Sequence, residues 1–253
     1  MKIVFLGTGT STGVPEIGCK CAVCTSSDFR DKRLRASVYI EYKGNRFVID
    51  CGPDFRQQMI EAGVDGIDAL FITHEHYDHT GGMDDLRPFC RDYPVKTYLE
   101  KRVAQSVRDR FPYCFSGFKY AGIPDIQLLE IDSDIFSVKG VEITPIRVMH
   151  FMLPILGYRI GNMAYITDML TMPETELSKL RNLDVLIVNA LRRTKHISHQ
   201  TLDEALALIN KLKPKQAYLT HMSHHMGLHA EVARLLPENV TMAYDGLEIY
   251  CSD

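Results

Sequence analysis

The chain is predicted to be an α/β protein in which two mixed sheets face each other and helices cover the outside. Short apolar runs that read as strands recur through both halves of the 253 residues, and each half passes from strands into helical segments. The residues best suited to chemistry, His74, His150, Asp168 and His221, each stand just past an apolar strand run. No linker rich in Gly, Pro or Ser and no tandem repeat interrupts the chain, so one domain over 1–253 is expected.

The elements follow in order. Residues 2–6 read as the first buried strand, and Gly7-Thr8-Gly9-Thr10-Ser11 as a tight turn placing backbone near a site. No helical run opens after this turn and no Gly-Lys-Ser/Thr follows, which sets a phosphate-binding loop aside. Cys19, Cys21 and Cys24 come next. Three thiols within six residues can converge on one tetrahedral ion if a fourth ligand arrives from elsewhere. The third Cys, with no thioredoxin-like βαβ unit after it, favours a structural zinc over a redox pair; free thiols are the alternative. Ser37–Tyr42 and residues 46–50 read as a hairpin about Lys43-Gly44-Asn45. Asp54 is the expected N-cap of a short helix from Phe55 that carries Met59 and Ile60.

Residues 68–73 read as a fully buried strand leading into His74-Glu75-His76-Tyr77-Asp78-His79, after which Thr80-Gly81-Gly82 breaks the strand period. His74 and His76 are two apart on an extended segment and point the same way. Asp78 and His79 come after the turn begins and can face a second point close by. This suits two metal ions side by side. A mononuclear site of three protein ligands and a water competes, but leaves Asp78 and His79 without a role; a His-rich surface loop is the plainest alternative.

Beyond the turn, 84–91 reads as a helix, 95–99 as a strand and 101–111 as a helix with a charged outer face. Residues 110–124 form an aromatic-rich connection (Phe111, Tyr113, Phe115, Phe118, Tyr120). It is expected to pack its own small cluster, with a lid or substrate-facing wall as the alternative. In the second half, 127–131, 142–148, 156–160, 163–167 and 184–189 read as strands. Residues 201–212 form a helix: Thr201 caps it, Glu204 completes a capping box, and Lys213-Pro214 stops it. A strand at 216–220 ends in His221, a helix spans 231–236, and 241–250 holds the last short strands.

Composition limits the classes. Hydrophobic content of 45% and charged content of 24% are ordinary for a soluble globular protein. A net charge of −3 with no long charge run argues against a nucleic-acid partner held by a global positive field, though not against a local basic patch. No run of roughly eighteen apolar residues predicts a membrane span. The first apolar run lacks the length and cleavage site of a signal peptide, so a cytoplasmic location is expected. Seven Cys, an odd number with three clustered, do not read as a disulfide framework.

The stretch from His74 to His79 resembles the His-x-His-x-Asp-His signature of the metallo-β-lactamase superfamily. The resemblance spans nearly the whole chain, from Gly7-Thr8-Gly9 through Asp50-Cys51-Gly52 to Tyr218-Leu219-Thr220-His221. It implies an αββα sandwich and a dinuclear site: His74, His76 and His150 hold one ion, Asp78, His79 and His221 the other, and Asp168 bridges them. Zinc suits so imidazole-rich a set, with manganese or iron as other occupants. Within the superfamily the pattern looks most like the PhnP-type phosphodiesterases, which open ribose cyclic phosphates; the RNase Z endonucleases are relatives. Cys19, Cys21 and Cys24 resemble the PhnP structural zinc site. Its fourth ligand is a His three residues past the last catalytic ligand, where His224 stands; His225 and His229 are close by. Against RNase Z, no long Gly- and basic-rich insertion that would clamp tRNA is found.

The relatives place a catalytic His just before the equivalent of the 201–212 helix, which selects His199 over His196 as general acid; a solvated His near a helix start is the alternative. A helix N-terminus disfavours imidazolium, whereas a bound anionic phosphodiester favours it. The implied reaction is in-line attack on phosphorus by metal-activated water, with Asp78 and Asp168 holding the ions and His199 protonating the departing sugar oxygen. The expected substrate is a small phosphodiester such as a ribose 1,2-cyclic phosphate or a cyclic nucleotide. Two catalytic ions and one structural zinc are expected, without nucleic acid or membrane as partner. Related enzymes are often dimers, so a homodimer is an expectation too. The alternatives are an RNase Z-like endonuclease, a thioester or β-lactam hydrolase, a mononuclear iron persulfide dioxygenase and a non-enzymatic metal-binding module. Flavodiiron proteins carry a carboxylate where His76 stands, so this residue favours hydrolysis.

Overall fold

A computed structural model describes residues 1–116 and 122–251. Strand β1 (Lys2–Gly7) shows how the layers arise. Ile3 and Phe5 face the opposite sheet, while Val4 and Leu6 face the helices. A strand buried on both faces reads as a continuous apolar run without alternation. β2 (Ser37–Tyr42) and β3 (Asn45–Ile49) are buried in the same way apart from Glu41 and Arg46, β4 (Ala69–Phe71) is buried throughout, and β5 (Val95–Glu100) and β6 (Ile126–Ile131) extend the sheet. The second half supplies β7 (Phe136–Val138), β8 (Val141–His150), β9 (Leu153–Ile160), β10 (Met163–Ile166), β11 (Val185–Asn189), β12 (Gln216–Thr220) and β13 (Val240–Met242), before β14 (Glu248–Tyr250) returns to pair with β1.

The sheets have seven strands each, in the orders β14-β1-β2-β3-β4-β5-β6 and β13-β12-β11-β10-β9-β8-β7. Both are mixed. The first is antiparallel from β14 to β3 and parallel from β3 to β6. The second is antiparallel from β7 to β10 and parallel from β10 to β13. Phe71 sits between the sheets with the rings of Phe47, Tyr98, Phe136 and Tyr158 at centroid distances of 5.6, 5.5, 6.2 and 5.3 Å.

The α-helices among the described residues are α1 (Phe55–Glu61), α2 (Tyr77–Thr80), α3 (Lys101–Arg110), α4 (Pro112–Phe115), α5 (Leu202–Leu212) and α6 (His229–Val232). α1 and α3 cover the first sheet through Phe55, Met59, Val103, Ala104 and Val107. α5 covers the second through Leu202, Ala205 and Ile209. The architecture is the αββα sandwich of the sequence expectation.

Several details differ. Asp54 does not cap α1, because its carboxylate accepts instead from the Arg35 backbone N–H at 2.8 Å and the Arg35 guanidinium at 2.9 Å. The expected helix at 84–91 is a 3₁₀ segment over Met83–Cys90, since Pro88 within it supplies no N–H. β7 and a 3₁₀ turn at Glu174–Leu180 were not foreseen; a three-residue strand leaves too little pattern to detect. The helix expected at 231–236 begins two residues earlier and turns 3₁₀ at Ala233. In the aromatic connection, Phe111 and Cys114 pack into the helix-side core, while Phe118 and Tyr120 lie outside the described residues. The α5 capping box forms as expected, and Lys213 ends that helix at a left-handed φ of 52°. No helix among the described residues is long and apolar enough to cross a membrane.

Candidate functional site

Four strands deliver their C-terminal ends to one place. β4 runs through Ile72 and Thr73 to His74, β8 ends on His150, β10 passes through Thr167 to Asp168, and β12 ends at Thr220 before His221. Ligand sites in α/β folds gather at such strand ends. Asp50, Asp168 and His221 adopt left-handed φ values of 67°, 56° and 55°. Such backbone costs on the order of 1 kcal/mol or more per residue and persists where the surroundings impose it. Asn189 imposes it after Asp168, because its side-chain amide accepts from Met169 N and donates to Met169 O, both at 2.9 Å. The Gly7–Ser11 turn imposes it after His221: Met222 N donates to Thr8 O at 2.9 Å and Thr10 N to Met222 O at 3.1 Å. On its other side Gly7 lets this turn lie against residue 35, since a Cβ there would stand 2.0 Å from Arg35 O.

Each predicted ligand reaches this centre. His74 Nε2 and His76 Nδ1 are 3.0 Å apart, and the His150 ring lies 5.7 and 5.2 Å from theirs. His79 and His221 are stacked at 5.7 Å. Asp168 Oδ2 is 3.1 Å from His79 Nε2 and 3.2 Å from His221 Nε2, while its Oδ1 is 2.9 Å from His199 Nε2. Asp78 Oδ2 is 3.1 Å from His79 Nε2 and 3.5 Å from His221 Nε2. Ligand atoms of Asp78, His79, Asp168 and His221 lie within 4.8 Å of one another, as do those of His150, Asp168 and His199. Asp168 belongs to both groups.

The donor set fits cations. His79 Nε2 and both ring nitrogens of His221 are buried without a hydrogen-bond partner, although carboxylates face the two Nε2 atoms. Burial alone would lower the His79 pKa, yet Asp78, Asp50 and Asp168 around it hold it well above the usual imidazole value. So much negative charge about a buried ring is what a divalent cation would balance. Burial would raise Asp168, but His221 and His79 keep it well below the usual carboxylate range. His74 is pushed far down, first by burial and then by His79.

Sequence reasoning missed the partner behind His79. Asp50 Oδ2 accepts from His79 Nδ1 at 2.6 Å, and Thr73 N and Oγ1 donate to Asp50 at 2.9 and 3.0 Å. Asp50 therefore leaves His79 Nε2 to face the centre, the usual arrangement behind a metal-binding imidazole. The available signal was an Asp at a strand end inside Asp50-Cys51-Gly52. Backbone oxygens of Asp168 and Ser198, 2.8 and 3.1 Å from His150 Nδ1, do the same for His150.

A second cluster lies apart from the strand ends. Cys19, Cys21, Cys24 and His224 bring their ligand atoms within 4.8 Å of one another, with Cys24 Sγ 3.2 Å from His224 Nδ1. The sequence left His225 and His229 open. His225 turns its Nε2 to His224 Nε2 at 3.0 Å, and His229 lies against Arg33, so His224 is the imidazole at the thiols. Burial pushes the Cys24 thiol up to about 11, while Cys21 is lowered, chiefly by the Cys24 backbone.

The chain matches the β-lactamase superfamily domain over residues 45–222. An octanoyltransferase of Porphyromonas gingivalis is 46% identical over 251 residues, covering 98% of this chain and 51% of the relative. The chain thus spans about half the length of the curated relatives it matches. A solved structure of a diphosphatase from the PhnP family superposes with a TM-score of 0.92 at 39% identity, over 98% of this chain and 96% of that one. Zn²⁺-bound PqqB of Methylobacterium extorquens superposes with a TM-score of 0.82 over 99% and 100% of the two chains; at 19% identity this shows the shared fold alone.

Proposed function

The chain belongs to the β-lactamase superfamily and, within it, to the PhnP family, and we propose that it is a phosphodiesterase with two catalytic ions that opens a small cyclic phosphate, such as a ribose 1,2-cyclic phosphate or a cyclic nucleotide. The carrying observation is the Asp168 carboxylate, which turns one oxygen to His79 and His221 and the other to His199, in the group that includes His150. In this reading His74, His76 and His150 hold one ion, Asp78, His79 and His221 the other, and Asp168 bridges. Cys19, Cys21, Cys24 and His224 hold a structural zinc. Zinc suits the imidazole-rich centre, with manganese and iron as alternatives.

When bound, the two ions would polarise the phosphoryl oxygens and make a water nucleophilic near neutral pH. The chain's residues do the remaining work. Asp50 keeps His79 Nε2 aimed inward, and Thr167 Oγ1, donating to Asp168 Oδ2 at 2.7 Å, limits rotation of that carboxylate. His199 is the proposed proton donor to the leaving oxygen. Its Nε2 lies 2.9 Å from Asp168 Oδ1 and its Nδ1 3.0 Å from Ser198 Oγ. Burial pushes its pKa down to about 4 against the pull of Asp168, so the resting ring is neutral. An anionic substrate arriving beside it raises that value and supplies the acid form.

The PhnP-family neighbour is a diphosphatase, which favours phosphoanhydride hydrolysis by the same groups as a second reading. The octanoyltransferase name belongs to a protein of which this chain spans 51%, and it adds an octanoyl thioester to the substrates worth assaying. The test measures metal content and turnover on one purified sample, using a chromogenic phosphodiester, a cyclic nucleotide, a dinucleoside diphosphate and an octanoyl thioester. Expected are near three ions per chain and phosphodiester turnover. Asp168→Ala should cost more than the roughly 10–100-fold typical of a supporting residue, and His199→Ala about 10²-fold or more. One iron without phosphodiester turnover sinks the proposal; turnover of the anhydride alone moves it to the second reading.

A further inference from the structure

The hairpin joining β8 to β9 is built against the usual rules. His150 pairs with Leu153, so Phe151 and Met152 alone make the turn. Tight two-residue turns go to Gly, Asn or Asp, because a positive φ is needed. Here Phe151 takes that conformation, at φ 55°. Positive φ in a bulky residue is an outlier, and such strain clusters at ligand-binding positions. The turn also exposes what most turns hide: Phe151 is 51% and Met152 76% accessible.

These side chains border the candidate centre. A cleft of about 410 Å³ is lined by His76, His150, Phe151, Met152, Leu153 and Ser198. Two of its walls are imidazoles proposed above to hold an ion, so the cleft opens directly onto the reacting position. Tyr77, beside His76, and Ile197, beside Ser198, are also exposed apolar residues. The hairpin is held in place: Met149 exchanges backbone bonds with Leu170 and Thr171, and Arg102 ties Pro154 O to Glu75.

We propose that this cleft is a substrate subsite for a flat aromatic ring, carried on the phosphorus-bearing molecule next to the group that is cleaved. The inference rests on the anion-hydrolase reading for the anchor at the centre. It adds the chemical class of the neighbouring substituent. Phe151 offers a ring face for offset stacking, and Met152 a thioether for contact with a ring. Among the lining residues only Ser198 and the two His carry polar groups; Ser198 O accepts from His150, and its Oγ lies 3.3 Å from His196 Nδ1 and 3.0 Å from His199 Nδ1. The subsite therefore reads ring shape rather than a hydrogen-bond pattern, so different bases or aryl groups are accepted alike.

The test is a binding comparison on the zinc-loaded full chain and needs no turnover. Methylphosphonate, phenylphosphonate and hexylphosphonate share one anionic head and differ in what enters the cleft. Phenylphosphonate is expected to bind about 10-fold tighter than methylphosphonate, within the range of ring stacking on an aromatic side chain, and tighter than hexylphosphonate. In Phe151→Gly the phenyl-to-methyl ratio should collapse toward one. That variant removes the ring while relaxing the φ strain, so an unchanged or raised melting temperature separates lost stacking from lost folding. Met152→Ala should reduce the ratio by a smaller factor. Hexylphosphonate binding as tightly as phenylphosphonate overturns the aromatic assignment. So does a wild-type ratio near one, or a dimer in sedimentation that dissociates in Phe151→Gly, which would make the patch a contact between copies. Should no phosphodiester be hydrolysed while the phenyl preference persists, the proposed activity falls and the subsite stands.

Discussion

The two clusters of potential metal ligands are built in opposite ways. His74, His79, Asp168 and His221 are all at most 2% exposed; His79 lies in α2 and the other three just past strand ends, and Asp50, Thr73, Thr167 and Asn189 brace them. Cys19, Cys21, Cys24 and His224 sit on loops; Cys21 is exposed, and the apolar support is a small group of Val14, Val23 and Cys24 with Cys19 and Leu228. The first cluster takes its shape from the sheets. The second has little core of its own, so under the proposed assignment an ion would supply the cross-link, as in small metal-stapled folds. A preformed site spends its mutations on function, whereas an ion-formed site spends them on stability.

Asp50 gives the largest test of that contrast. It touches no proposed ligand atom facing the centre, yet it sets which His79 nitrogen points inward. Asp50→Asn should lower turnover roughly 10–100-fold, the usual cost of losing such a partner. Ions per chain and the melting temperature, measured alongside, should change little for the Cys cluster. Turnover within twofold of wild type would mean that the sheets alone orient His79.

Cys24 tests the other side. Cys24→Ser should lose one ion per chain and cost about 2 kcal/mol, which at this size lowers Tm by roughly 4–8 °C. Proteolysis should begin in the loop around Cys19–Cys24, with turnover falling less than in Asp50→Asn. A fall in turnover as large as that of Asp50→Asn would show that the Cys cluster also positions His221, three residues from His224 in the chain.

What the sequence revealed follows the same division. His74, His76, Asp78 and His79 lie within six residues, and β4 before them is apolar throughout, so periodicity and chemistry coincide. His150, Asp168 and His221 were legible because each follows a buried strand. Asp50 was not, since its role depends on the 2.6 Å approach of a residue 29 positions away. For the thiol cluster the resemblance selected His224 by its spacing from His221 and left His225 open; the 3₁₀ turn at His224–Met226 settles which ring meets the thiols. Asp54 was misread as a cap because Arg35, distant in sequence, claims its carboxylate first. Local pattern carries elements and clusters; contacts between elements decide which member of a cluster is used.

The smallest test concerns His229, which neither cluster uses. It is buried beside Arg33, with Arg33 Nη2 3.3 Å from its Nδ1, and its backbone N–H donates to Asp31 at 2.7 Å. Burial, then the charges of Arg33 and Arg30, push its pKa down to about 4 against the pull of Asp28 and Asp31. In the unfolded chain the ring titrates near about 6.5. Between these values the unfolded state binds a proton that the folded state refuses, so stability is present above the unfolded value and is lost as pH falls toward 4. The slope from this one group is at most about 1.4 kcal/mol per pH unit. His229→Gln keeps an acceptor for Arg33 and removes the titration, so the difference in Tm between wild type and variant, with zinc held saturating, should shrink steadily from pH 7 to pH 5. Asp245, half-buried where it accepts from Thr8 Oγ1 and Leu34 N and raised to about 7, titrates in wild type and variant both, so the comparison isolates what His229 adds. A difference flat with pH would mean that His229 carries no part of the acid sensitivity and that burial beside Arg33 does not keep its ring neutral in the folded chain.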